Sequence, residues 1–176
     1  MPIARLIDAN VRALQAVEPL LLRISDAQYC ALIPPYAANV GQHLRHVADH
    51  YQLLLDGLND AEAAFIDYDN RQRGEPEEAE RSTMLLRLRQ LCHRLQGLAG
   101  AAECALHVRL AVDAQPAPPV PSTLSRELLF VHGHTVHHYA LIAAILKMQH
   151  IEVPPAFGIA PSTLQYNEPL CAPVSA

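Results

Sequence analysis

The sequence predicts an all-α fold: a four-helix bundle in one domain over residues 1–176, with a short irregular or β-hairpin insertion before the last helix. Three observations predict it. Four stretches carry apolar residues at helical spacing, the clearest being Val40–Leu58 with alternating four- and three-residue steps, as a helix with one buried stripe requires. Residues suited to capping a helix stand ahead of two of them, at Asn39 and at Ser122 or Thr123. Finally, Pro116, Pro118, Pro119 and Pro121 interrupt regular structure just before the last stretch.

The first helix runs from Ile3 to about Ser25, with Leu6, Ile7, Leu14, Val17, Leu21 and Ile24 on its buried face. Pro19 kinks or breaks it, because proline removes a backbone donor and crowds the preceding turn. An irregular connection through Pro34 and Pro35 follows, and the second helix extends from Asn39 to about Leu58 on the seam Val40, Leu44, Val47, Tyr51, Leu54 and Leu58. Asp67–Gly74 reads as a solvated loop whose arginines, Arg71 and Arg73, are suited to line the mouth of a site for an anionic substrate. Glu77, Glu78 and Glu80 suit the positive end of a third helix with the seam Met84, Leu88, Leu91, Leu95 and Leu98, which Gly97 and Gly100 end. Ala105–Asp113 alternates enough for a short strand or hairpin arm, and the prolines then exclude regular structure until the last helix begins. That helix has the seam Leu124, Leu128, Val131, Thr135, Tyr139, Ile142 and Leu146, and the apolar tail Val153–Thr163 is expected to fold back on the bundle.

Composition narrows the function. A chain of 176 residues that is 51% hydrophobic can bury one sizeable core, so no second domain is needed. A net charge of −5 leaves no electrostatic footprint for nucleic acid or an anionic membrane. No uninterrupted apolar run approaches the roughly 20 residues that span a bilayer, and the N-terminus lacks a signal-peptide pattern, so a cytoplasmic protein is expected. Cys30, Cys92, Cys104 and Cys171 lack paired spacing and read as buried free thiols.

The ten histidines are unevenly spread: His132, His134, His137 and His138 fall in one window of the last helix, and His43, His46 and His50 in one window of the second. His134 and His138 are one helical turn apart, about 40° around the axis, and can chelate one cation. His46 and His50 flank their seam as His134 and His138 flank theirs, so two such helices can direct imidazoles to one point. Spacing alone leaves His43, His46 and His50 open as the contribution of the second helix. His93, His107, His132 and His150 read as hydrogen-bonded core or boundary residues, not ligands.

Gly41-Gln42-His43-Leu44-Arg45-His46-Val47-Ala48-Asp49-His50, Arg126–Tyr139 and the Phe157–Thr163 tail resemble bacterial members of the DinB-like, or YfiT-like, superfamily of metal-binding four-helix bundles, over nearly the whole chain. That superfamily is unrelated to the error-prone DNA polymerase of similar name. The resemblance implies a divalent metal (Zn, Ni or Fe) held by one histidine of the second helix and both of HxxxH, which here are His46, His134 and His138. Many relatives carry His-Arg-Gly-Gln after the last ligand, whereas this chain has His138-Tyr139-Ala140-Leu141, so no substrate is carried over.

Three neutral imidazoles leave a coordination position open, which suits a catalytic metal that acidifies water or presents a thiolate. Asp49, Glu127 and His50 are the candidate catalytic groups, the carboxylates either orienting a ligand imidazole or acting as general base. For each carboxylate an ordinary ion pair is the competing expectation, Asp49 with Arg45 and Glu127 with Arg126. The expected activity is a metal-dependent thiol S-transferase or hydrolase acting on a small molecule, in a protein able to form a homodimer. The alternative is a noncatalytic metal- or ligand-binding bundle. Bis-histidine haem ligation is disfavoured, since seven clustered histidines exceed what two axial ligands need.

Overall fold

The computed structural model describes residues 2–59, 64–70, 76–111, 113 and 118–167. Helix α1 (Ile3–Gln15) buries Leu6, Ile7, Asn10, Val11 and Leu14. The chain breaks at Ala16-Val17 and resumes as α2 (Glu18–Arg23), with Pro19 in its first turn, where a missing N–H costs nothing. A capping box of Ser25 and Gln28 then starts the short α3 (Asp26–Cys30). The expected first helix is thus two pieces, and α3 lies in the stretch expected to be an irregular connection.

Helix α4 (Val40–Gly57) starts at Asn39 as the sequence predicts, and Gln42 completes a second capping box. A short strand, β1 (Phe65–Asp67), follows. Glu77 and Glu78 do not open the third helix. They form a 3-10 turn (Pro76–Glu78), and α5 (Arg81–Gly97) starts beyond it. Ion pairs account for the difference, because Arg45 Nε meets Glu78 Oε1 at 2.5 Å and Arg87 approaches Glu77 at 3.7 Å. Gly41 permits the contact: a Cβ there would lie 2.2 Å from the Glu78 carbonyl oxygen.

Strands β2 (Ala105–Arg109) and β3 (Val120–Thr123) complete a three-stranded sheet in the order β1-β2-β3. β1 runs parallel to β2, Phe65 opposite His107, and β3 antiparallel, Pro121 opposite His107. The prolines therefore do not exclude a strand before the last helix. β3 is an edge, and an edge tolerates a residue with no N–H to donate. Ile66 and Leu106 are buried, fastening the sheet to the bundle.

Helix α6 (Leu124–Met148) is capped by Thr123, and its predicted seam is buried throughout. By length and composition α6 can cross a membrane, with a mean hydropathy of 1.2 over its most apolar window. Its buried seam and its packing against α1 and α4 read instead as the central helix of a bundle. α1 and α4 each pack on both α5 and α6, which is four-helix-bundle geometry. The tail returns as expected: Phe157 stacks on Tyr139 at 4.6 Å between centroids. Gly158, at φ 75°, lies so close to α6 that a Cβ would be 2.6 Å from the Tyr139 carbonyl carbon. A final turn, α7 (Pro161–Asn167), ends the described chain.

Of the cysteines, Cys92 is buried, Cys30 half-buried and Cys104 exposed, all free thiols. Burial as a general expectation thus fails for Cys104, which lies in the connection leading into β2, outside the bundle. Cys171, like Arg71 and Arg73, is outside the described residues.

Candidate metal centre

α4 and α6 lie side by side, and their histidines meet along the shared flank. One ring nitrogen from each of His46, His134 and His138 lies within 4.8 Å of the other two. Ring centroids are 4.8 Å apart for His46 and His134, 4.6 Å for His46 and His138, and 4.5 Å for His134 and His138. Donors about 2.1 Å from a common cation stand roughly 3.4 Å apart in a tetrahedral set, so small rotations of the rings would close this one. The donor set fits a borderline-soft divalent ion: three imidazoles, partly to fully buried, on two rigid helices.

His43 and His50 flank the three. His50 is 4% exposed, and its Nδ1 lies 2.9 Å from the His46 carbonyl oxygen. A carbonyl can only accept, so the Nδ1 of His50 carries a proton, and in the neutral ring Nε2 is the nitrogen with the lone pair. Its ring lies 4.1 Å from that of His134 and stacks on Tyr68 at 5.2 Å. His43 places Nδ1 3.0 Å from Nδ1 of His138. Burial first, then the nearby His137, holds the His43 pKa below its usual value and favours the neutral ring. His137 itself is exposed, and His132 is half-buried with a pKa lowered first by burial and then by Arg12. His93, His107 and His150 are exposed and lie apart from the cluster.

Both candidate carboxylates are engaged by arginines. Asp49 accepts from Arg45 at 2.6 Å on one oxygen and from Arg87 at 2.9 Å on the other, binding α4 to α5. Glu127, 1% exposed, accepts from Tyr68 Oη at 2.9 Å and Ser122 Oγ at 2.5 Å, and pairs with Arg126 at 3.3 Å. Among the described residues its hydrogen bonds go to these three groups, of which Tyr68 in turn stacks on His50. Burial, then the Glu127 charge, pushes the Tyr68 hydroxyl far above its usual range, so it stays a proton donor.

Tyr68 was hidden in the sequence, because Asp67 and Asp69 beside it read as solvated loop. The available signal was the apolar run Phe65-Ile66 just before it, whose alternation continues onto Tyr68. With Phe130, which lies over His134 at 5.8 Å, Tyr68 forms a wall shared by the histidine cluster and a cavity of about 520 Å³. Val108, Val120 and Pro121 from the sheet supply much of the cavity's apolar surface, and Glu127 a buried polar group.

The family profile described as DinB superfamily matches residues 9–142, most of the chain and all the histidines discussed here as candidates. FK506-binding protein 5 of Rhizopus delemar is 32% identical over 104 residues, which cover 57% of this chain and 27% of that protein. The chain thus spans about a quarter of that relative's length. No solved structure matches. The chain belongs to the DinB superfamily, whose members are in general metal-binding.

Proposed function

We propose that the protein holds a divalent cation (Zn, Ni or Fe) on His46, His134 and His138, and that it is a metal-dependent thiol S-transferase or hydrolase acting on a small molecule. The observation that carries this reading is the convergence of one α4 imidazole and two α6 imidazoles within 4.8 Å. When bound, the cation supplies Lewis acidity to a thiol or water entering the position the three histidines leave open.

The remaining residues divide the work. His50, fixed as the Nδ1–H tautomer, keeps an Nε2 lone pair beside the triad and is the group proposed to accept a proton. Tyr68 and Phe130 exclude water from one side of the cluster, and the cavity behind them is proposed to take the apolar part of the substrate. Glu127 holds Tyr68 in place, while Asp49, bound by two arginines, sets the position of α4 against α5. Neither carboxylate is needed as a ligand.

Replacement of the metal by Co(II) tests the reading. An open position predicts that a small thiol, such as 2-mercaptoethanol, adds a sulfur-to-cobalt charge-transfer band and shifts the visible spectrum. A cobalt spectrum indifferent to thiol, azide and cyanide would favour the alternative, a noncatalytic metal-binding bundle whose coordination sphere His50 or His43 completes.

A further inference from the structure

We propose that His43 is a positioning residue for His138, accepting its Nδ1–H and so fixing the ring in the tautomer that turns Nε2 to the cation. The inference rests on the three-histidine reading above. Two neutral imidazole nitrogens 3.0 Å apart share one proton, so one donates and the other accepts. If His43 were the donor, the proton of His138 would sit on Nε2, the nitrogen left for a metal, and His138 could not ligate. The opposite assignment leaves Nε2 of His138 with its lone pair and makes His43 the Nε2–H tautomer.

The assignment leaves the Nε2–H of His43 buried without a hydrogen-bond partner among the described residues, a cost that coordination through His138 would offset. The surroundings of the pair bear on it as well. The groups that commonly orient a ligand imidazole are carboxylates and backbone carbonyls. Here Glu127 is bonded to Tyr68, Ser122 and Arg126, and Asp49 is bound by two arginines. His43 stands 3.0 Å from Nδ1 of His138, where a carboxylate or carbonyl commonly stands beside a ligand imidazole. His43 lies in the second turn of a helix locked by its capping box, one turn before His46, so the acceptor is as rigidly mounted as the ligand. A neutral acceptor polarises His138 less than a carboxylate would, leaving a less basic ligand and a more Lewis-acidic cation.

Co(II) titration of chelator-stripped protein tests this in the wild type, His43→Leu and His43→Asn, with circular dichroism confirming the fold. Asparagine can offer Oδ1 close to the position of the histidine Nδ1 and so keeps an acceptor. The expected result is a loss of roughly 10–100-fold in cobalt affinity for His43→Leu, recovery to within a few-fold for His43→Asn, and unchanged d–d bands in both saturated variants. Wild-type affinity in His43→Leu overturns the proposal, as does an Asn variant as weak as the Leu variant. Altered d–d bands make His43 a ligand instead. A wild type that binds no cobalt contradicts the three-histidine site itself, an outcome distinct from failure of the His43 role alone.

Discussion

Two polar clusters sit in the same α4–α6 interface, one residue apart in sequence on each helix. Tyr51 follows His50, and Thr135 follows His134. A step of one residue rotates a side chain by about 100°, which sends Tyr51 and Thr135 into the core and the histidines to its flank. In the core cluster, Asn10 Nδ2 donates to the Leu6 and Leu128 carbonyls at 2.8 and 3.0 Å, and its Oδ1 accepts from Tyr51 at 2.7 Å. Thr135 Oγ1 is 2.7 Å from the Val131 carbonyl and 3.1 Å from the Tyr51 hydroxyl. That cluster ties α1, α4 and α6 together with its polar atoms paired. The histidine cluster instead gathers five imidazoles, three of which bring a ring nitrogen within 4.8 Å of one another. A satisfied network holds helices together, whereas converging lone-pair donors have capacity left for a cation.

The comparison predicts opposite responses to substitution. The largest stability loss belongs to Asn10→Ala, which takes from the core the acceptor of the Tyr51 hydroxyl proton and a donor to the Leu128 carbonyl. Urea unfolding of the metal-free protein should show a loss of about 2–3 kcal/mol, with metal affinity unchanged. Tyr51→Phe removes one partner and keeps the ring, so about 1–1.5 kcal/mol is expected in the same assay. His134→Leu should move metal-free stability by less than about 1 kcal/mol in either direction, because burying an apolar side chain offsets what the imidazole contributed. A larger loss there would mean that the histidines serve as internal glue, like the core cluster.

The smallest effect expected is pH dependence of the metal-free protein. His43 and His132 both have pKa values held below the ordinary 6.5, burial being the first cause in each. The unfolded chain therefore binds protons on these rings at higher pH than the folded one. Their contribution favours folding above about pH 6.5 and is lost as pH falls from there toward the depressed folded values. Thermal unfolding of the metal-free wild type should accordingly weaken on acidification, and a His43→Asn, His132→Gln double variant should respond less steeply.

Much of the bundle was legible because seams dictate helices: the predicted residues from Val40 to Leu54 and from Leu124 to Leu146 are buried. The histidine windows were legible for the same reason, since one helical turn puts His134 beside His138 whatever surrounds them. Long-range pairing was not. Nothing local tells Glu77 and Glu78 to leave α5 for Arg45 and Arg87, or Val120–Thr123 to pair with Ala105–Arg109 across a proline-rich stretch. The same holds within the site. The sequence offered Glu127 as a candidate and Arg126 as its ion-pair partner, but its partners Tyr68 and Ser122 arrive from other elements. The acceptor facing His138 came from α4, three residues before the expected ligand.

Metal content tests the central claim most directly: elemental analysis by mass spectrometry of untagged, never-chelated protein grown with balanced trace metals, beside His46→Ala and His134→Ala. The account predicts near-equimolar divalent metal in the wild type and its loss in both variants, one from each helix, with the fold retained. A wild type without stoichiometric metal, or variants that keep it, would contradict the cross-helix site.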